Sequence, residues 1–308
     1  MDIHFVKLHS SGRDYLLLDG FKNIPPGSGD LKTLAPMIID RHRGVGGYGF
    51  LILHRGSHSP IAATMFEGNG EEREPSPDAL LCVGRYAFDA GLLGKEHSWI
   101  ETRERTAAIR VIDSRNISVN IGPPFHWDDL QELREEPGLD IDQSMRIKEK
   151  SYVFTPMELH GYHAVIFAFE NRFNLATMGR RCSRHKGFPF QPQVEIVRVF
   201  STDELEMRAW YPLYGEVSSS SSGSGAALVA AVIHGFSDRE AFVHNRGGDL
   251  FIRWDESNNQ IQVTGAVEYS FTGTYYWEPT GYTQGESSSD PMDSTQGDSF
   301  GDTREEPE

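Results

Sequence analysis

Residues 215–236, GEVSSSSSGSGAALVAAVIHGF, run a serine- and glycine-rich loop straight into a small-residue apolar helix with no charge before His234. The first N–H groups of such a helix have no intrahelical partner, and with the positive end of the dipole behind them they can hold an anion. Gly223, Ser224 and Gly225 would let the backbone come close to a ligand there. A Gly/Ser linker ahead of a buried helix fits the same residues. A second unit of the same kind, MFEGNGEEREPSPDALLCVGRYAFDAGLL at 65–93, argues for the binding site. It offers Ser76 and Asp78 as N-cap candidates, and two loop-to-helix units imply a pseudo-symmetric protein with a site between its halves.

The rest of the chain must position these two helix starts. Its 308 residues suffice for two domains, and 38% hydrophobic with 24% charged residues is ordinary for a globular protein. No apolar run has the length of a membrane span or a signal segment, which predicts a cytoplasmic protein. Cys82 and Cys182 lie too far apart in sequence to suggest a disulfide framework or a metal site, and read as buried small apolar residues. The net charge of -16 argues against nucleic acid as a partner. Half of it sits in residues 277–308, where nine acids face the single Arg304. With almost nothing apolar to bury, that tail is expected to be disordered.

Taken in order, apolar runs predict strands at 3–8, 15–18, 61–66, 152–155, 163–169, 194–200, 206–210, 250–255, 260–265 and 268–272. Short helices are expected near 34–40 and 175–184. The run TAAIRVIDSRNISVNIGPP alternates on both sides of Asp113-Ser114-Arg115-Asn116 and reads as a hairpin. Residues 127–150 are highly charged and read as a solvated surface segment. In RHRGVGGYGFLIL the glycines precede a strand, the reverse of a phosphate-cradling loop, so no nucleotide is expected. Strands outnumber helices and each half has one long helix after its loop, which predicts an α+β protein of two similar lobes.

In VKLHSSGRDYLLLDG, DRHRGVGGYGFLIL, SVNIGPP, YHAVIF, GEVSSSSSGSGAA and GGDLFIRWDESNNQIQVTGAVEYSFTG the chain resembles the diaminopimelate epimerases, from Met1 to about Tyr276. The resemblance implies two pseudo-symmetric lobes, each a curved, mainly antiparallel sheet around a central helix, with the active site in the cleft between them. The lobes would be residues 1–120 with a returning strand at 266–276, and residues 121–265. It also implies catalysis with no pyridoxal phosphate, metal or other cofactor, by two thiols acting on opposite faces of a carbon next to a carboxylate.

Both thiols are absent. Cys82 matches a second, non-catalytic cysteine of the family motif, which puts Ser76 in the place of the first thiol, and Ser222 stands where the other precedes Gly223-Ser224-Gly225-Ala226. The substrate clamps differ as well. Arg13 and Glu67 replace asparagines, Tyr48 replaces an acid, Gly161-Tyr162-His163 replaces Asn-Pro-His, and Tyr211-Pro212 replaces Glu-Arg. A serine hydroxyl is a far weaker acid than a thiol and needs an adjacent base, so diaminopimelate epimerase activity is not expected.

Acid–base candidates at matching positions are His9, Asp14, Glu67, His163 and Glu216, with His160 and Asp78 nearby; each could equally brace a turn or a strand. Tyr48, Tyr162, Tyr211 and Tyr214 would ring the mouth and suit a larger, less polar ligand than an amino acid. The expected partner is a small-molecule substrate, with neither nucleic acid nor membrane, and a homodimer is left open. Three functions fit: a cofactor-independent isomerase or cyclase of specialised metabolism, a racemase or epimerase with an atypical acid–base pair, or a non-catalytic binding protein that kept the fold.

Overall fold

The computed structural model describes residues 1–23, 26–95, 98–124, 142–147, 150–168, 174–184 and 191–278. The helices are α1 (Ser28–Ile38), α2 (Pro77–Asp89), α3 (Leu175–Cys182) and α4 (Ser221–Ile233). The first run of strands is β1 (Asp2–Ser10), β2 (Arg13–Asp19), β3 (Gly49–His54), β4 (Ala62–Phe66), β5 (Glu72–Arg73), β6 (Ser98–Glu101), β7 (Thr106–Val111) and β8 (Asn116–Gly122). After β9 (Gln143–Ile147) come β10 (Lys150–Glu158), β11 (Tyr162–Phe167), β12 (Gln193–Ser201), β13 (Glu204–Tyr211), β14 (Gly215–Val217), β15 (Glu240–Asn245), β16 (Gly248–Asp255) and β17 (Gln260–Tyr276). This is an α+β protein dominated by strands.

The same order of pairings occurs twice. β1 and β2 are antiparallel, β2 and β3 parallel across α1, β3 and β4 antiparallel, and β4 and β6 parallel across α2. From β10, the second series runs antiparallel to β11, parallel across α3 to β12, antiparallel to β13, and parallel across α4 to β15. Parallel neighbours need a crossover, and here each crossover is a helix. Each of the two long helices lies against its own set of strands: α2 against β1, β2, β3, β7 and β8, α4 against β10–β13, β15 and β16, with β17 touching both.

Composition explains these positions. In α4, Ser221 to Val232 are all buried, because a helix apolar on every side is stable only when surrounded. In α2, Gly84 has a packing reason: a Cβ there would lie 2.9 Å from Ile109 Cγ2 and 3.0 Å from Ile117 Cγ2. A glycine inside a helix costs about 1 kcal/mol relative to alanine, which the close approach to β7 and β8 offsets. Cys82 and Cys182 are both buried and unpaired, as their spacing suggested.

Three expectations change. Residues 260–265 and 268–272, expected as separate strands, are one strand, β17. Its first part pairs with β16 and β8 and its second with β1, so both stretches are held without a break. Residues 143–147, placed in a solvated segment, form β9, whose Met145 is buried with Phe154, Leu175 and Met178. The strands β6 and β15 were not expected; β15 has only Ala241, Phe242 and Val243 as an apolar signal. The acidic tail beyond residue 278 lies outside the described residues, while Trp277 is buried and exchanges backbone hydrogen bonds with Met1. Among the described residues no helix is long and apolar enough to cross a membrane.

If α2 and α4 are the cores of their strand sets, Leu81→Ala and Leu228→Ala should each lower unfolding free energy by about 2–5 kcal/mol in urea denaturation. A loss below about 1 kcal/mol at both positions would contradict their central placement.

Candidate functional site

The two long helices begin beside one another. Ser76 caps α2, its Oγ accepting from the Ala79 N–H at 3.3 Å, and Pro77 follows where its missing N–H costs nothing. Ser220 caps α4 in the same way, accepting from the Gly223 N–H at 2.9 Å. Asp78, in the first turn of α2, reaches across to α4. Its carboxylate accepts from Ser221 Oγ at 2.8 Å and from the Ser221 N–H at 3.3 Å, and the residue is 1% exposed.

Three of the amides expected to be free at the start of α4 are therefore engaged within the protein. Ser221 donates to Asp78, Gly223 to Ser220 Oγ, and Ser224 to the Ser220 carbonyl at 2.8 Å. The helix start does hold an anion, but the anion belongs to the protein. The glycine at 223 also has a packing cause: a Cβ would meet Glu195 Oε1 at 2.8 Å, and at Gly225 it would meet Leu159 Cδ2 at 2.7 Å.

Arg13 lies next to this junction, 3% exposed. Its guanidinium carbon stands 3.5 Å from the Tyr48 ring centroid and 4.9 Å from that of Tyr211, a cation held between two aromatic faces. Its hydrogen bond to the Ser219 carbonyl is long, 3.4 Å, and its Nε has no partner; neither has the buried Ser219 Oγ. Tyr48 stacks edgewise on Tyr15 and tilts against Tyr214, with centroids 5.9 and 4.8 Å apart. Tyr15 and Tyr211 each hydrogen-bond a capping serine at 2.8 Å, Tyr15 with Ser76 and Tyr211 with Ser220. Burial pushes the phenols of Tyr15, Tyr48 and Tyr211 above their ordinary pKa, so all three are neutral.

His163 and Glu195 form a fully buried pair, Nδ1 to Oε1 at 2.8 Å, while Nε2 lies 2.9 Å from the Leu159 carbonyl. Burial alone would lower the imidazole pKa, but the Glu195 carboxylate opposes it and the net direction is upward. Both ring nitrogens face acceptors, as in an imidazolium. His160, by contrast, is pushed down to about 4 by burial and by the nearby Arg105.

The remaining sequence candidates are spread around this centre. Glu67 follows β4 and pairs with Arg73 at 3.4 Å, close enough to Tyr214 to act on its charge. Glu216 is held bidentately by Arg208, at 2.8 and 2.9 Å, and by Arg246 at 3.1 Å. His9 lies on β1, 3.9 Å from Glu268 across β17. Asp14 is paired with Lys7 and Arg41; burial would raise its pKa, yet those two cations bring it below the usual carboxylate range. Tyr162 is exposed at the start of β11, next to the buried His163, as strand alternation requires. Ser222 and Ser224 are buried in the first turns of α4, and Asn245 donates to Ser224 Oγ at 3.2 Å. Among the described residues no three His, Cys, Asp or Glu side chains are grouped to hold a metal ion.

Sequence reasoning missed Tyr15, Ser220 and Glu195. Glu195, an acid inside QVEIVRVF on a buried strand, was the readable signal, since a buried carboxylate implies a partner. The structure adds an equivalence: Tyr15 pairs with Gly49 and His163 with Gln193, the first pairs of the parallel ladders β2–β3 and β11–β12.

No protein-family model matches the chain. It is 30% identical over 285 residues to the diaminopimelate epimerase of Desulfovibrio desulfuricans, covering 89% of this chain and 98% of that one. Against the diaminopimelate epimerase of Methanococcus maripaludis it is 30% identical over 278 residues, covering 87% and 98%. The chain belongs to the diaminopimelate epimerase family. In fold it is similar to a probable proline racemase from Agrobacterium radiobacter, solved with bound carbonate, with a TM-score of 0.64 at 13% identity over 91% of this chain and 94% of that one. A Bacillus anthracis phenazine biosynthesis protein of the PhzF family gives 0.60 at 13%, over 90% and 100%.

Two measurements check this geometry. Asp78→Ala leaves the Ser221 donors without an acceptor and should lower stability by about 1–3 kcal/mol in denaturant unfolding; a neutral result would mean the contact is unimportant. The second uses pH. Because the folded pKa of His163 is raised, its pairing stabilises fully below the unfolded value of about 6.5 and is lost as pH rises through the folded value. Wild type should therefore lose stability relative to His163→Leu as the pH rises above about 6.5. Parallel curves for the two proteins would show that the pair is not charged.

Proposed function

We propose that this chain is a cofactor-independent isomerase or cyclase of a small organic molecule, probed by the cleft where α2 and α4 begin, and that it works in specialised metabolism. The observation that carries the reading is the meeting of two capped helix starts around Arg13, Tyr48 and Tyr211. The names of the relatives, epimerase and racemase, support the reaction class; their substrates are not carried over, because the groups that would grip and deprotonate an amino acid are replaced. Ser76 is committed to capping α2 and Ser222 is not paired with any base among the described residues, so neither is placed to act as a thiol would. Within this reading the two lobes are residues 1–120 with 266–276, and 121–265, and Glu67 at the rim and His163 behind α4 are the atypical acid–base pair of the racemase alternative. A non-catalytic binding protein is the second reading, favoured by Asp78 occupying the anion seat of α4.

The test is conversion, in D2O and without added cofactor, of the small molecules made by enzymes of neighbouring genes, followed by NMR. Rearrangement of one of them supports the isomerase or cyclase, deuterium at a single stereocentre singles out the racemase, and tight binding with no conversion would move the assignment to a binding protein. Diaminopimelate should exchange no deuterium. On the true substrate, Ser222→Ala should change turnover by less than about tenfold, since losing a real general acid or base costs about 10²–10⁴.

A further inference from the structure

Hydrogen counting at the two helix caps leads further. Ser76 Oγ and Ser220 Oγ each already accept a backbone N–H, and each also shares a hydrogen bond with a tyrosine hydroxyl at 2.8 Å. A serine–tyrosine pair has two hydroxyl hydrogens, and one of them bridges the two oxygens. The other has no acceptor in either pair among the described residues. Arg13 Nε–H and the Ser219 hydroxyl, both buried, also lack partners. Buried donors are normally satisfied, so the Arg13 Nε–H and the Ser219 hydroxyl, with two further spare hydroxyl hydrogens in the half-buried serine–tyrosine pairs, need an explanation. They are contiguous: Tyr15 contacts Tyr48, Tyr48 and Tyr211 sandwich Arg13, and Ser219 adjoins the cap Ser220. Two carboxylates are close by: Asp78, engaged by Ser221, and Glu195, near enough to act on Tyr211, whose Oε1 meets the His163 ring and whose buried Oε2 has no partner among the described residues.

Resting on the isomerase reading, we propose that the Tyr15–Ser76 and Tyr211–Ser220 pairs, with Arg13 between the aromatic rings, form a donor cradle for one oxyanion of the substrate, the enolate or enol oxygen of a polarised carbonyl. The cradle donates hydrogen bonds and takes no proton itself. Neutral phenols and a permanent cation suit that task, because they favour charge developing on oxygen in a water-poor site. The ligand class is an enolisable ketone, ester or lactone with an unsaturated or aromatic body to lie along Tyr48 and Tyr211. Tyr15 and Tyr211 are then the groups that touch the reacting oxygen, and Ser76 and Ser220 are positioning residues.

The probe is para-nitrophenol, whose phenolate carries a delocalised oxyanion and whose ionisation is visible by absorbance, with para-nitroanisole as the same body lacking the acidic hydroxyl. The full-length protein should bind the phenolate at least about tenfold more tightly than the anisole and lower the apparent pKa of the bound phenol. Tyr15→Phe and Tyr211→Phe should each remove about tenfold of phenolate affinity while leaving anisole binding in place, and Tyr269→Phe, outside the cleft, should change neither. Equal affinity of the wild type for both probes, or no binding of either, overturns the cradle without any variant having to fold. So does a phenolate preference that survives both Phe substitutions. The isomerase reading is judged separately by substrate conversion in D2O, which can succeed even where phenolate binding fails.

Discussion

The contact on which the meeting of the two long helices depends is the one between Asp78 and Ser221. A carboxylate removed from water is tolerated only with donors around it, and Asp78 finds a hydroxyl, an amide and the positive end of α4. The same contact ties the starts of α2 and α4 together across 143 residues of sequence. It also neutralises a helix terminus that has no acid in its own first turn. Once Asp78 sits there, the start of α4 is no longer an open anion site, and whatever binds in the cleft must find its charge complement elsewhere. Arg13 is the group left to supply it.

This reorganisation explains why the departures from the epimerase pattern come together. A thiol pair needs open amides and clamps that hold the carbon between the two sulfurs. Replacing one thiol with a cap serine, filling the helix start with Asp78 and inserting a guanidinium between Tyr48 and Tyr211 removes all of these at once. Each replacement makes sense with the others. Arg13 would be a costly buried cation without aromatic faces and a nearby carboxylate, and Asp78 a costly buried anion without Ser221.

Much of the scaffold was legible because its signals are local. Ser76-Pro77 announces the start of α2, and the uninterrupted small apolar run after Gly225 announces a helix buried on all sides. The glycines of α4 were legible as places of close approach, but not what approaches: Glu195 at Gly223, from β12, and Leu159 at Gly225, just after β10, are distant in sequence. Residues 143–147 were misread because a charged neighbourhood hides a short strand in which Met145 is buried. Within the site, Arg13, Tyr48 and Tyr211 stood out as changes of residue type. Tyr15 did not, because inside DYLLLD it reads as one more buried strand residue, and its meaning comes only from the serine it meets at residue 76.

The repeated pairing order makes one asymmetry informative. Tyr15 and His163 hold equivalent register positions, yet the first half places there a neutral phenol against a cap serine and the second an imidazole against a buried carboxylate. Burial disfavours charge on both: it keeps the phenol protonated and uncharged, whereas at the imidazole Glu195 overrides burial and favours the charged form. One repeated topology thus carries different electrostatics at its two equivalent positions.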